Sequence, residues 1–154
     1  MSRPVPVPTA LSEPFWDAAR RGDLVIPYCP ACDLRFFVPE PACPGCMAPD
    51  WRYVPSAGRG TVYSVTVVHR APGPGFDTPF ALAVIDLDDG GTLLSHVDAG
   101  DAGDAGDAGD LGGPGGPGGP GGPDSVAIGL RVRVDFRPLT DEITLPYFVP
   151  DAGD

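Results

Sequence analysis

The stretch Tyr28–Cys46, YCPACDLRFFVPEPACPGC, contains all four cysteines of the chain. They form two Cys-x-x-Cys pairs, Cys29 with Cys32 and Cys43 with Cys46, with ten residues between the pairs. Each pair can form a tight turn that points two thiolates to one side, and a proline in the second position fixes one backbone angle of that turn. Two such turns complete a tetrahedron of sulfur around a metal ion, so the spacing predicts a structural zinc ribbon.

Other uses of four cysteines stay open at this point. A rubredoxin-like iron site that carries electrons has the same four ligands, and disulfides or a thioredoxin-like dithiol use the same residues. The dithiol would need a βαβ context that this region lacks. A closed set of four thiolates leaves no position for water, so it excludes hydrolysis at the metal. A ribbon of roughly 30 residues buries too little surface to fold alone, and metal binding would supply its stability.

Composition narrows the class of protein further. The chain has 154 residues, which favours one domain or two small ones. Its net charge is -11 and it has no lysine, which argues against a nucleic-acid binder, because neutralising phosphates needs a cationic surplus. No apolar run approaches the roughly 20 residues of a membrane span, and the first residues lack the apolar region of a secretory signal. We therefore expect a cytoplasmic protein, in which clustered thiols stay reduced.

Residues 1–23 are predicted to form a proline-rich tail and a short docking helix. The helix lies in LSEPFWDAARRG, with Ser12 as a candidate N-cap and Gly22 as its stop. Its apolar face would consist of Phe15, Trp16 and Ala19. Because so short a helix is unstable alone in water, that face must dock on the protein itself or on a partner.

Residues 24–54 are predicted to be the zinc ribbon. The segment LVIPY would be a strand leading into it, and DLRFFVPEPA would be a hairpin between the two cysteine pairs. Phe36 and Phe37 are adjacent, and only one of two adjacent side chains in a strand can face inward. The other ring is a candidate contact for a partner, as is Trp16.

Residues 55–150 are predicted to form a five-stranded OB-fold barrel, with 151–154 as a tail. Five short segments carry β-branched and aromatic residues or strict alternation, which is typical of a small barrel or sandwich: GTVYSVTVVHR, FALAVIDL, TLLSHV, LRVRVDFR and TLPYFVP. The second and third would pair as a hairpin across DDGG. Residues 98–124 are mostly Asp-Ala-Gly and Gly-Gly-Pro repeats, which we interpret as a disordered insert between the third and fourth strands.

The rest of the sequence offers little for catalysis. His69 and His96 are the only histidines, and neither belongs to a nucleophile, acid or phosphate-binding motif. We expect His69 to be a solvated residue at a strand end and His96 to point outward from its strand. The chain is therefore predicted to be non-catalytic.

A few exposed side chains remain as candidate contacts with a partner or with an anion such as the phosphates of CoA. Arg131 and Arg133 alternate with apolar residues and would line one face of the barrel, with Arg59 at a strand end. A solvated face is the simpler interpretation of these arginines. Phe76 would lie at the exposed tip of the loop APGPGFDT.

The combination of these blocks resembles a known family. PFWDAARRGDLVIPYCPACDLRFFVPEPACPGC, SAGRGTVYSVTVVHR, PFALAVIDLDDGGTLLSHV, IGLRVRVDF and ITLPYFVP follow one another in the order found in the acyl-CoA-associated zinc-ribbon plus OB-fold proteins. The resemblance runs from about Pro14 to Pro150. It implies an N-terminal helix, a rubredoxin-like ribbon and an OB-fold barrel. It also implies an accessory subunit of lipid metabolism, without catalysis of its own, beside a thiolase-like, lipid-transfer, acyltransferase or hydratase partner.

The family's ligand cysteines correspond to the four cysteines of this chain. The family often has glycine after each cysteine pair, whereas this chain has Asp33 and Met47. Aspartate tolerates a positive φ better than methionine does. Two other functions are alternatives: an OB-fold that binds single-stranded nucleic acid through aromatic side chains, and a small iron protein that carries electrons.

Overall fold

The computed structural model of the protein describes residues 3–100 and 121–151. These residues are mainly β, as the sequence predicts. Their elements are α1 (Glu13–Arg20), β1 (Leu24–Cys29), β2 (Leu34–Arg35), β3 (Arg52–Ser56), β4 (Arg59–Val68), β5 (Phe80–Leu87), β6 (Thr92–Val97), a 3-10 turn (Pro123–Ser125), β7 (Arg131–Pro138) and β8 (Thr144–Pro150). Within the described ranges, no helix is both long and apolar enough to cross a membrane.

The predicted helix is present and docks on the protein itself. Ser12 occupies the N-cap position, but its side chain makes no capping bond and instead accepts a hydrogen bond from the amide of Thr9 at 2.9 Å. The helix ends at Arg20, with Arg21 as its C-cap, and the predicted stop residue Gly22 follows with a φ of 84° and donates its amide to the Ala19 carbonyl at 3.0 Å. Phe15 is 4% exposed and packs into the main core.

The ribbon is a three-stranded antiparallel sheet with the order β2-β1-β3. β1 and β2 are paired, with Cys29 opposite Leu34, so the first cysteine pair forms the turn between these two strands. The predicted hairpin within DLRFFVPEPA is therefore wrong. Its first residues pair back onto β1, and the residues after Arg35 run without a strand to the second cysteine pair.

The last five strands close into the predicted barrel, in the order β4-β5-β6-β8-β7. β5 and β6 form the predicted hairpin, with Ile85 opposite Leu93. Gly60 pairs with both β5 and β7, and a Cβ there would lie 2.3 Å from the Asp86 carbonyl oxygen. Only glycine allows the three strands to approach so closely at that point.

One apolar core joins the helix, the ribbon and the barrel. Its buried members include Phe15 of α1, Leu24 and Ile26 of β1, and Val62, Ile85, Leu93, Val132 and Phe148 of the barrel. Because β1 contributes to this core through Leu24 and Ile26, the ribbon sheet is fixed on the barrel.

The turn between β5 and β6 also holds the ribbon. Asp89 accepts hydrogen bonds from the Ser56 hydroxyl at 3.0 Å and from the Ala57 amide at 2.8 Å. The Arg35 guanidinium lies 3.5 Å from the same carboxylate. A single aspartate of the barrel thus contacts two separate segments of the ribbon.

Most of the predicted insert lies outside the described residues, which stop at residue 100 and resume at 121. Its two ends are ordered. The Asp98 amide donates to the Phe148 carbonyl at 2.8 Å, and the Gly122 amide donates to the Gly100 carbonyl at 2.6 Å. The folded part therefore extends further into the repeat than the predicted range 98–124 allows.

Candidate metal centre and contact surfaces

The four cysteines converge at one end of the ribbon. Their sulfur atoms all lie within 4.8 Å of one another. The Sγ atoms of Cys29 and Cys46 are 3.6 Å apart, and those of Cys32 and Cys43 are 3.5 Å apart. A disulfide needs about 2.05 Å, whereas a zinc ion with bonds of about 2.3 Å at a tetrahedral angle places its sulfur ligands about 3.8 Å apart. The arrangement therefore fits a four-coordinate metal ion.

The backbone turns sharply after each cysteine pair. Asp33 has a φ of 56° and Met47 has a φ of 63°, the left-handed conformation that glycine adopts without strain. At the second pair the Met47 amide donates to the Cys43 carbonyl at 2.8 Å. Each Cys-x-x-Cys pair is therefore followed by a non-glycine residue in the left-handed conformation.

The thiols differ in their electrostatics. Burial opposes ionisation of Cys43, yet hydrogen bonds from the Cys46 and Gly45 amides outweigh it and lower the pKa of Cys43 to about 7. Hydrogen bonding to the Cys46 thiol, together with burial, raises the pKa of Cys32 to about 12. Of these two thiols, Cys43 is therefore the more readily ionised. A divalent metal ion at the centre of the cluster would deprotonate the thiols that coordinate it.

A small apolar cluster supports the metal-binding residues. Cys29 and Cys43 are fully buried and pack with Phe36, which is 7% exposed. The Trp51 ring lies edge-on to Phe36 at 5.6 Å, and the Trp51 Nε1 donates to the Glu40 carbonyl at 2.8 Å. Phe36 is therefore the inward ring of its pair, and its predicted contact with a partner does not agree with its burial.

Trp16 and Phe37 lie together against the main core, away from the cysteine cluster. Both are half-buried, and each packs on Phe15, with ring centroids 5.1 Å and 5.0 Å away. They contribute to the wall of a cavity beneath the N-terminal segment. Their exposed portions stay candidate contacts for a partner or a ligand.

The predicted arginine face is mostly neutralised by aspartates. Arg131 pairs with Asp88, and Arg59 lies 3.6 Å from Asp151. The hydrogen bond between Arg131 and Asp88 lowers the pKa of the Asp88 carboxyl and raises the pKa of the Arg131 guanidinium. Arg133 is exposed and has no ion pair among the described residues. It is thus the predicted arginine best placed for an anion or a partner.

Phe76 does not lie at an exposed tip. It is half-buried and stacks on Phe80 at 6.2 Å, while the Arg3 guanidinium covers its ring at 4.4 Å. The prediction overlooked this contact because Arg3 is far from Phe76 in the chain. Contacts with Phe80 and Arg3 therefore cover part of the Phe76 ring within the protein.

The stack continues through one of the two histidines. His96 points outward from β6 as predicted, but it is half-buried between Phe80 at 4.4 Å and Tyr147 at 4.9 Å. Burial, and then the charges of Arg3 and Arg137, lower the pKa of His96 to about 4. The predicted hairpin could have revealed part of this, because Phe80 and His96 fall diagonally on the same face of adjacent strands. His69 is exposed directly after β4, as expected.

Comparison with characterised proteins covers both parts of the chain. Residues 16–52 match the rubredoxin-like zinc ribbon domain of ChsH2, and residues 53–137 match the C-terminal OB-fold domain of ChsH2. A probable enoyl-CoA hydratase alpha subunit of Thermomonospora curvata is 33% identical over 137 residues, which is 88% of this chain and 36% of that protein.

A second relative is the 3-oxo-4,17-pregnadiene-20-carboxyl-CoA hydratase alpha subunit of Mycobacterium tuberculosis. It is 35% identical over 83 residues, which is 54% of this chain and 26% of that protein. The chain thus spans only about a third or a quarter of the length of these two relatives.

Solved structures agree with this fold. A chain described as Ltp2-ChsH2(DUF35) aldolase superimposes with a TM-score of 0.70 and 32% identity, covering 95% of this chain and 98% of that one. A DUF35 protein of unknown function from Sulfolobus solfataricus gives a TM-score of 0.55 at 15% identity, with 92% and 86% coverage, and shows the fold alone. With both of its parts matched in sequence and in order, the chain belongs to the ChsH2 zinc-ribbon and OB-fold family.

Proposed function

We propose that this chain is a non-catalytic accessory subunit of a cytoplasmic complex that processes acyl-CoA. One observation carries the proposal: the likeness to the Ltp2-ChsH2(DUF35) aldolase extends over 98% of that chain at 32% identity. The two hydratase alpha subunits are also named for acyl-CoA substrates. A thiolase-like protein is the first partner to test, with hydratases and acyltransferases as the other classes.

The chemistry of the metal centre supports an accessory role. Four cysteine ligands occupy all four coordination positions of a tetrahedral zinc ion and leave no position for a substrate or water. The ion would supply folding energy to the ribbon rather than Lewis-acid chemistry. Cys29, Cys32, Cys43 and Cys46 would hold it, and their sulfur spacing suits zinc. Metal analysis of the purified protein tests this directly: one zinc per chain and no visible absorption is expected, whereas a red protein means iron.

The partner is tested by co-expression with thiolase-like, hydratase and acyltransferase candidates encoded near this chain. We expect one of them to co-purify in a fixed ratio and to turn over its acyl-CoA faster with this chain than without it. The chain alone should have no activity on the same substrate. If no candidate binds, or if the chain alone is active, the proposal is wrong.

The contact surface can be mapped in the same experiment. Arg133 is exposed and has no ion pair among the described residues, so Arg133→Glu should weaken an interface that uses this face. Arg20→Glu is a matched control, because Arg20 is also an exposed cation but lies on the helix with Asp17 at 3.1 Å. Equal effects of the two changes would mean that general charge, and not the barrel face, determines association.

A further inference from the structure

A cavity of about 510 Å³ lies beneath the N-terminal segment, which we define as residues 3–9. Its walls come from that segment, from α1, from residues 37–39 after the ribbon strand, and from β5, β6 and β8. Ligand sites in proteins have volumes of about 300–1,000 Å³ and are lined mainly by apolar side chains with a few polar groups. The cavity matches this description in both size and lining.

Several large apolar side chains that line the cavity are exposed to solvent. Val7, Val38 and Leu94 line the cavity while remaining 85%, 57% and 62% exposed. They are three of the eight large hydrophobic residues that are exposed in the described part of the chain. Exposed apolar residues scattered singly need no explanation, but a concave group of them indicates that something apolar covers it.

One end of the cavity is polar and carries Arg3. Its guanidinium donates to the Tyr147 hydroxyl and lies 3.1 Å from the His96 Nε2. Since a guanidinium only donates, the His96 Nε2 must be the acceptor, so this ring is neutral. Among the described residues, Arg3 has no carboxylate partner.

The neighbouring cation is already neutralised. Arg137 binds Asp98 at 2.7 Å and Asp135 at 2.9 Å, and its guanidinium lies 4.7 Å from the centre of the Tyr147 ring. Arg3 is thus the uncompensated charge of this corner. A guanidinium has five N–H donors, of which the Tyr147 hydroxyl and His96 take two. The remaining donors suit a carboxylate, which arginine binds with two parallel hydrogen bonds.

We propose that this cavity binds an apolar carboxylate, with its hydrocarbon part between Val7, Val38 and Leu94 and its carboxylate on Arg3. The cavity and Arg3 are present in the chain itself, so this binding does not depend on an acyl-CoA enzyme as a partner. The ligand class is a fatty acid or an apolar ring acid. A neutral ester of the same chain would fill the cavity but would lack the charge that Arg3 recognises.

The test is isothermal titration of the full chain with dodecanoate, methyl dodecanoate and dodecanol. Dodecanoate is expected to bind saturably with one site per chain and about tenfold more tightly than the two neutral ligands. Leu94→Asp should weaken all three ligands, because it places a charge in the apolar wall. Since Leu94 is exposed, this change should not unfold the protein.

Arg3→Gln should remove the advantage of dodecanoate over the neutral ligands and leave their affinity unchanged. Arg21→Gln is the control, because its side chain is 64% exposed on another surface and does not line the cavity. Absence of saturable binding by the unmodified chain would overturn the proposal. So would equal weakening of all three ligands by Arg3→Gln, which would mean that Arg3 only holds the N-terminal segment in place.

Discussion

At the scale of single residues, Met47 adopts a backbone conformation that is unfavourable for any residue other than glycine. Its φ of 63° places it in the left-handed region, and its side chain is 74% exposed. A non-glycine residue in that conformation costs about 1 kcal/mol or more. Asp33 has the same conformation, but its carboxylate accepts a hydrogen bond from the Tyr28 hydroxyl at 2.9 Å. The strain at Met47 has no such compensation from its side chain.

Replacement of Met47 by glycine should therefore stabilise the metal-loaded protein. The relief of strain exceeds the entropy that glycine adds to the unfolded chain, and we expect a net gain of about 0.5–1 kcal/mol. Chemical denaturation of the metal-loaded protein measures it. Met47→Ala keeps a Cβ and should show no gain, so an equal gain from both variants would contradict the explanation.

His96 gives the protein a dependence on pH. Its pKa is lowered to about 4 in the folded state, from an ordinary value near 6.5. Between these values the unfolded chain binds more protons, so stability is complete above about pH 6.5 and falls as the pH drops toward 4. Since the ring is only half-buried, we expect a loss of about 1–2 kcal/mol over that range.

His96→Gln should remove this part of the pH dependence. The variant keeps a hydrogen-bond acceptor for Arg3 but cannot titrate. Denaturation at pH 7 and pH 5 is compared for both proteins, and the difference between the two pH values should be smaller in the variant. Titration of the carboxyl groups changes the stability of both proteins by the same amount. If the difference in stability between pH 7 and pH 5 is the same in both proteins, His96 does not titrate in this range.

At the scale of elements, the sequence predicts what depends on neighbouring residues and misses what depends on distant ones. The β5–β6 hairpin follows from two apolar runs and a glycine turn, and the four metal ligands follow from their spacing. Arg3 contacts Tyr147, which is 144 residues away, and no local pattern encodes that contact. The predicted ribbon hairpin is wrong because β2 has only two residues, which is too short to show an alternating pattern in the sequence. The predicted domain limits at residues 23 and 54 stay predictions.

The turn between β5 and β6 offers a test of how the ribbon is held. Asp89 binds the Ser56 hydroxyl and the Ala57 amide, and its side chain is 27% exposed. Asp89→Ala removes both charge-assisted bonds and leaves Arg35 without its carboxylate. We expect a loss of about 2–3 kcal/mol, measured by chemical denaturation.

The adjacent Asp88 is the matched control for that change. It pairs with Arg131, and both side chains are nearly half exposed. Solvent screens an exposed ion pair, which therefore contributes little to stability, so Asp88→Ala should cost much less than Asp89→Ala. Equal losses would mean that the turn itself, and not its contact with the ribbon, determines stability.

At the scale of the whole molecule, two apolar clusters of unequal size share one chain. The large cluster joins the helix, β1 and the barrel, whereas the small one consists of Cys29, Cys43 and Phe36 with Trp51 against it. The small cluster has few apolar neighbours of its own, so it should depend on the metal. The large cluster includes no metal ligand, so it should survive when the metal is removed.

The two tryptophans report on these clusters separately, since Trp51 packs on the small one and Trp16 on the large one. Removal of the metal with a strong chelator should loosen the metal-binding residues and expose Trp51. In Trp16→Phe, where Trp51 is the remaining tryptophan, the emission should therefore shift to longer wavelength. In Trp51→Phe, where Trp16 remains, the emission should stay nearly constant, and far-ultraviolet circular dichroism should keep the β signal of the barrel. Simultaneous loss of both signals would show instead that the metal stabilises the entire fold as one cooperative unit, because β1 belongs to the core and carries Cys29 at its end.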